Sequence, residues 1–86
     1  MQIIDFYAQW CGQCKKIMPI IDELSKEYNV LKVDVETDRD MAVKYNINSL
    51  PTILFVKDNK EIGRISGLVS KKMIMDKVNE VITNDI

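Results

Sequence analysis

The sequence predicts an α/β fold, with elements in the order βαβαββα around a four-stranded mixed sheet that has helices on both faces. Three observations support this class. Short apolar runs of strand length alternate with stretches in which apolar residues recur at helical spacing. The first two strands are joined through a helix and are therefore expected to be parallel, with a right-handed crossover. The last two are joined by a short turn, which makes them antiparallel and the sheet mixed.

The first half of the chain supplies two of these strands and the longest helix. Residues 2–7 form a short, nearly continuous apolar run, which is typical of a strand covered on both faces. Through residues 11–28, apolar side chains recur at helical spacing with charged residues on the other side, which predicts an amphipathic helix. Residues 30–35 have the composition and alternation of a second strand.

The middle of the chain supplies a short helix and a hairpin. Thr37, with Asp40 three residues later, resembles a capping box and predicts a short helix that runs to Tyr45. Residues 52–57 form another apolar strand, and residues 61–66 return as its partner after the turn-forming sequence Asp-Asn-Lys.

The end of the chain is predicted to close the fold with a helix. Gly63, inside the returning strand, indicates a bulge, and Ser70 can cap the helix that follows. The apolar stripe of this helix comprises Ile74, Val78, Val81 and Ile82.

Composition excludes several classes of protein. With 86 residues, the chain is expected to form one domain over residues 1–86. Its 12 basic and 13 acidic residues nearly cancel, so no charge excess favours a nucleic acid or a cationic partner. Two cysteines are too few for a small secreted domain that is held together by disulfides. The absence of histidine excludes a catalytic Cys–His pair. The first apolar run is too short for a signal or a membrane span, so we expect a cytoplasmic protein with reduced thiols.

The chemistry-bearing motif is Cys11-Gly12-Gln13-Cys14, at the predicted junction of the first strand and the first helix. Two intervening residues in a first helical turn place both sulfurs within bonding reach. Free backbone N–H groups and the positive end of the helix dipole stabilise a thiolate at Cys11. We therefore expect Cys11 to attack a substrate disulfide, and Cys14 to resolve the mixed disulfide.

Two other interpretations of the cysteines stay open on spacing alone. They could be half of a metal site, but zinc takes about four ligands, so a second chain would have to share the ion or cluster. They could also be inert, although their place between a strand and a helix is typical of a redox motif.

Several segments resemble the thioredoxin family over essentially the whole chain. Residues 5–15, reading DFYAQWCGQCK, are similar to its active-site segment DFWAxWCGPCK. Pro19 matches the family's helix-kinking proline, and residues 32–35 match its K-x-D/N-[VI] strand. Residues 44–52, reading KYNINSLPT, resemble KYGIxxxPT, and Gly67 matches the glycine after the last strand. The resemblance implies a thioredoxin-like fold and a dithiol exchange activity.

The chain departs from the family's usual pattern at three places. It lacks the usual first strand and helix, and Tyr7 replaces a tryptophan. Gln13 replaces a proline, which has no N–H, so glutamine adds a donor near the sulfurs. We therefore predict a more stabilised thiolate and a less negative reduction potential than in relatives with CGPC.

The resemblance also implies roles for residues around the cysteines. Asp5 would be a buried acid beneath Cys14 that takes its proton, with Lys32 as charge partner, although an exposed edge carboxylate and a plain solvated lysine stay open. Sequence alone favours a trans bond before Pro51, whereas the resemblance implies a cis bond that turns the Leu50 backbone toward Cys11. The implied substrate-binding residues are Trp10, which would shield the sulfur and offer a contact surface, with Gly12, Gln13, Leu50, Pro51 and Gly67.

As a function, the resemblance implies a monomeric protein-disulfide reductase with no cofactor other than its own Cys11–Cys14 disulfide. Implied partners are disulfide-containing client proteins, a flavin- and NADPH-dependent thioredoxin reductase, and enzymes such as ribonucleotide reductase. No nucleic acid and no membrane are implied. Two alternatives remain: a glutaredoxin-like, oxidising or isomerising dithiol protein, and a thioredoxin-fold binding subunit whose thiols are dispensable.

Overall fold

The computed structural model describes residues 1–84 and confirms the predicted element order. The elements are β1 (Gln2–Tyr7), α1 (Gly12–Leu24), β2 (Asn29–Asp34), α2 (Arg39–Lys44), β3 (Thr52–Lys57), β4 (Lys60–Ser66) and α3 (Lys71–Asn84). The strands form one sheet in the order β2-β1-β3-β4. The β1–β2 pair is parallel and the other two pairs are antiparallel, so the sheet is mixed as predicted.

Helices cover both faces of this sheet because the central strands β1 and β3 are apolar on both sides. Helices α1 and α3 pack on one face, where the strands contribute Ile3, Ile53 and Phe55. The opposite face is built on Ile4, Phe6, Val33, Leu54 and Val56, and Met41 of α2 packs against it. No helix within residues 1–84 is long and apolar enough to cross a bilayer.

Helix α1 is shorter than the apolar spacing predicted. It ends at Leu24, although the backbone N–H of Tyr28 still donates to the carbonyl of Leu24 over 2.9 Å. Tyr28 packs against the α1 face of the sheet from this turn. The apolar periodicity therefore continues past the last helical residue, and periodicity alone predicts a helix that is too long.

The predicted capping box of the short helix is wrong by one residue. Asp38 is the N-cap of α2, and its carboxylate accepts from the backbone N–H of Met41 over 3.3 Å. The hydroxyl of Thr37 instead donates to the carbonyl of Asp34 over 3.3 Å. Thr37 is therefore engaged in the turn that precedes the helix, and α2 ends at Lys44.

The hairpin is tighter than predicted, because only two residues connect its strands. Asp58 and Asn59 have φ of 52° and 65°, a backbone conformation that these two residue types tolerate. Lys60 consequently belongs to β4 rather than to the turn. A register shift lies beside Gly63, as predicted: Phe55 pairs with Gly63 and Val56 pairs with Glu61, so Ile62 is the extra residue.

The last helix begins as predicted. The hydroxyl of Ser70 accepts from the backbone N–H of Met73 over 3.2 Å. Three of the four residues in the predicted apolar stripe are buried, namely Ile74, Val78 and Val81. Ile82, the fourth predicted member, is 37% exposed and does not belong to the buried stripe.

Candidate active site

The start of α1 is built around the sulfur of Cys11. The chain leaves β1 at Tyr7, and the backbone N–H of Cys11 donates to the carbonyl of Ala8 over 3.1 Å. Cys11 keeps an extended backbone as the N-cap of the helix, and its Sγ accepts from the backbone N–H of Cys14 over 3.2 Å. Sγ of Cys11 thus occupies the place of a capping oxygen, where N–H groups and the helix dipole favour negative charge.

A disulfide joins Cys11 and Cys14, whose Cα atoms lie 5.3 Å apart. That separation falls inside the range that disulfides adopt. Cys11 is 6% exposed and Cys14 only 1%, so a substrate reaches the first sulfur more easily than the second. Within the described part of the chain, no group of three or more His, Cys, Asp or Glu side chains is placed to hold a metal ion.

A loop with a cis peptide bond lies beside the disulfide. The bond between Leu50 and Pro51 is cis, as the resemblance implies. The half-buried Leu50 side chain packs against the small cluster formed by Ala8, Cys11 and Cys14. The hydroxyl of Thr52 closes the loop by donating to the carbonyl of Ser49 over 2.6 Å.

Gly67 lies next to this loop at the end of β4. Its backbone has φ of +83°, a conformation that favours glycine, and a Cβ there would meet nothing within 4 Å. The backbone conformation of the turn therefore accounts for glycine at this position, and the space beside its Cα is open. The adjacent Leu68 is 77% exposed. Leu68 is not among the residues predicted from the sequence; the signal available was an apolar residue in a loop directly after the matched glycine.

Trp10 lies on the surface rather than in the core, with 69% of its area exposed. Its indole N–H donates to the carboxylate of Glu36, a partner that sequence analysis did not identify. Trp10 and Leu50 line a shallow open depression of about 260 Å³ together with Val35, Ile47, Asn48 and Ser49. Gly12 is exposed and Gln13 half-buried at the start of α1.

Asp5 is fully buried in the middle of β1. Neither of its carboxylate oxygens has a hydrogen-bond partner among the described residues. Burial raises the pKa of Asp5 from 3.8 to about 6; Lys32 pulls this pKa down and Asp22 pushes it up. The interpretation of Asp5 as an exposed edge residue is therefore wrong.

Lys32 faces Asp5 across the β1–β2 pairing, where the two are register partners. Its ammonium nevertheless forms an ion pair with Asp22 of α1, and it acts on Asp5 through space. The pairing with Asp22 is not predicted from the sequence, because nothing in the charged face of a helix indicates which strand residue it will contact.

Fold and site together define a thioredoxin-like domain, in which a disulfide joins two cysteines at the start of the helix that follows the first strand. Comparison with known sequences gives the family. The family model described as Thioredoxin matches residues 1–80, and the chain belongs to the thioredoxin family.

Individual relatives agree with this assignment. The chain is 44% identical over 89 residues to Thioredoxin-T of Drosophila melanogaster, covering 96% of this chain and 57% of that protein. It is 40% identical over 85 residues to the chloroplastic thioredoxin M-type of Spinacia oleracea, covering 94% and 47%. The chain thus spans about half the length of these two relatives. The X-ray structure of Fasciola hepatica thioredoxin superimposes with a TM-score of 0.85 at 36% identity, covering 92% of this chain and 78% of that one.

Proposed function

We propose that this chain reduces disulfide bonds in client proteins by dithiol exchange through Cys11 and Cys14. The observation that carries the proposal is the position of Cys11 Sγ, which caps the N-terminus of α1 and is bonded to Cys14. A thiolate at this position is stabilised by backbone N–H groups, and thiolate is the reactive form of cysteine.

The first step uses the reduced dithiol form. The Cys11 thiolate attacks one sulfur of the client disulfide, the client S–S bond breaks, and its second sulfur leaves as a thiolate that takes a proton from solvent. The product is a mixed disulfide between Cys11 and the client. Cys11 is proposed as the nucleophile because it is the more exposed sulfur and lies nearest to the helix start.

The second step releases the client. Cys14 loses its proton and its thiolate attacks Cys11 Sγ, which forms the Cys11–Cys14 disulfide and frees the client sulfur as a thiolate. Two electrons have then passed from this chain to the client. We propose Asp5 as the base for Cys14, since a buried carboxylate with a pKa of about 6 is closer to a thiol in proton affinity than an ordinary one.

Client binding is proposed at the surface around the disulfide. An extended client segment would pair with the backbone of Leu50, whose side chain packs against the cluster that contains Cys11. The residues proposed to line its path are Trp10, Gly12, Gln13, Gly67 and Leu68. Support comes from the exposure of Trp10, which directly precedes Cys11, and of Leu68, which follows the Gly67 that is hydrogen-bonded to Pro51, because exposed large apolar side chains are typical of a contact surface.

The remaining parts of the proposal concern partners and location. An NADPH-dependent thioredoxin reductase would return the disulfide to the dithiol, and ribonucleotide reductase is a proposed client. The proposed location is a reducing compartment such as the cytoplasm, where free thiols persist. Residues 1–86 are proposed to act as one monomeric domain.

Insulin reduction followed by turbidity tests the proposal. With NADPH and thioredoxin reductase, the wild-type chain should reduce insulin, and Cys11→Ser should abolish that activity while remaining folded. Turnover with glutathione and glutathione reductase in place of thioredoxin reductase would instead favour a glutaredoxin-like function. A Cys11→Ser, Cys14→Ser double variant that keeps the wild-type biological activity would favour a binding subunit.

A further inference from the structure

Asp22, on the charged side of α1, forms an ion pair with the ammonium of Lys32. Lys32 is the register partner of Asp5 on the neighbouring strand, so it is the cation placed to neutralise Asp5 directly. Its ammonium is held instead by a carboxylate at the surface, where the side chains of Lys32 and Asp22 are 39% and 57% exposed. Asp5 is left fully buried with no hydrogen bond to either oxygen among the described residues.

We propose that Asp22 is a positioning residue for disulfide exchange, which holds Lys32 at the surface and so keeps the buried Asp5 carboxyl free of a direct cation. The inference rests on the proposed function, in which Asp5 takes the proton of Cys14. Asp22 touches neither sulfur in this role; it acts on the reaction through Lys32 and Asp5.

The charged groups that act on Asp5 come from the two elements beside it. Lys32 on β2 lowers the pKa of Asp5 and Asp22 on α1 raises it, while burial is the largest cause of the upward shift to about 6. Across the β1–β3 pairing, the register partner of Asp5 is the apolar Ile53. Cys14 of α1 does not titrate while it is in the disulfide.

Removing the charge of Asp22 should therefore lower the pKa of Asp5 in two ways. It takes away a negative charge that raises the pKa of Asp5, and it releases the Lys32 ammonium, which can then approach the carboxylate. Both changes favour the ionised form of Asp5. A carboxylate with a lower pKa is a weaker base toward the Cys14 thiol.

The test is a titration of the Asp5 carboxyl by carbon-13 NMR in the oxidised protein, where neither cysteine titrates. In Asp22→Asn we expect the Asp5 midpoint to fall by roughly half a unit to one unit. Glu23→Gln is the matched control, since Glu23 is an exposed carboxylate on the same helix and should leave the midpoint in place. Adding Lys32→Met to Asp22→Asn should raise the midpoint again. An unchanged midpoint in Asp22→Asn, or an equal fall in Glu23→Gln, would overturn the inference.

A kinetic measurement tests whether the change in the pKa of Asp5 alters the rate of disulfide exchange. The second step can be followed alone, as release of a peptide from its mixed disulfide with Cys11, prepared at acid pH and started by a jump in pH. The acid limb of its rate–pH profile should move to lower pH in Asp22→Asn by the same amount as the carboxyl midpoint. A limb that stays in place while the midpoint moves would refute the positioning role. Failure of the proposed function would look different, because the wild-type chain would then not reduce insulin at all.

Discussion

The backbone N–H of Gly67 donates a hydrogen bond to the carbonyl of Pro51 over 3.0 Å. This bond continues the β3–β4 pairing one step beyond Thr52 and Ser66. It joins the loop before β3, which packs against the disulfide through Leu50, to the loop after β4.

Gly67→Ala tests the backbone conformation of Gly67, whose N–H makes this hydrogen bond. The backbone at Gly67 has φ of +83°, which a Cβ disfavours even though the space around it is open. We expect a loss of about 1 kcal/mol in the free energy of unfolding, measured by urea denaturation. Gly12→Ala is the control, because Gly12 also has open space but lies in the first turn of a helix, where alanine is tolerated. Equal stabilities for the two variants would contradict the prediction.

Asp5→Asn tests the burial of the carboxyl through the dependence of stability on pH. The pKa of Asp5 is about 6 in the folded chain and 3.8 in the reference state, so the folded chain holds more protons between pH 4 and pH 6. Wild-type stability contributed by this group is therefore present below about pH 4 and is lost as pH rises through 6.

The size of that loss follows from the shift, and amounts to about 3 kcal/mol at 1.36 kcal/mol per unit. The difference in unfolding free energy between Asp5→Asn and wild type should grow in favour of the variant by that order from pH 4 to pH 7. Asp40→Asn, which removes an exposed carboxyl, should show no comparable growth. A difference in unfolding free energy between wild type and Asp5→Asn that stays constant over this pH range would contradict the prediction.

Cys14→Ser should trap the reaction halfway. With the second sulfur gone, the Cys11 thiolate can attack a client disulfide but the mixed disulfide has no internal thiol to resolve it. We expect a covalent adduct with a disulfide peptide, visible as the summed mass in mass spectrometry and released by dithiothreitol. Cys11→Ser should form much less adduct, because Cys14 is only 1% exposed. More adduct in Cys11→Ser than in Cys14→Ser would reverse the proposed order of the two cysteines.

Gln13→Pro should make the reduction potential more negative. Gln13 is the second residue of α1, where backbone N–H groups have no partner within the helix, and proline has no N–H to stabilise the Cys11 thiolate. We expect a shift of about 30 mV, which corresponds to a tenfold change in the exchange equilibrium with glutathione. Gln13→Ala retains the backbone N–H and should stay closer to wild type. A wild-type potential at or below that of Gln13→Pro would contradict the prediction.

Local patterns predict most of this fold. The bounds of β1 follow from one apolar run, and the capping of α3 follows from Ser70, because both depend on residues adjacent in sequence. The predicted start of a helix is wrong where two neighbouring residues could both serve as its N-cap, as Thr37 and Asp38 could at the start of α2.

The site is predictable to a smaller extent. The place of Cys11 at a helix start follows from the strand-to-helix pattern, whereas the cis bond before Pro51 was expected only from the resemblance. The pairing of Lys32 with Asp22 joins a strand to a helix ten residues earlier, and it depends on how α1 crosses the sheet. Contacts of this kind are set by packing and leave no trace in spacing or composition.

Trp10 is the only indole in the sequence, and it lies at the rim of the surface proposed for clients. All tryptophan fluorescence of the chain therefore originates at this one position, under the direct influence of Glu36 and solvent. A polypeptide that settles over the ring would displace water from it and shift the emission to shorter wavelength. The unlabelled protein thus carries its own optical probe, whose spectrum reports occupancy at a single place in real time.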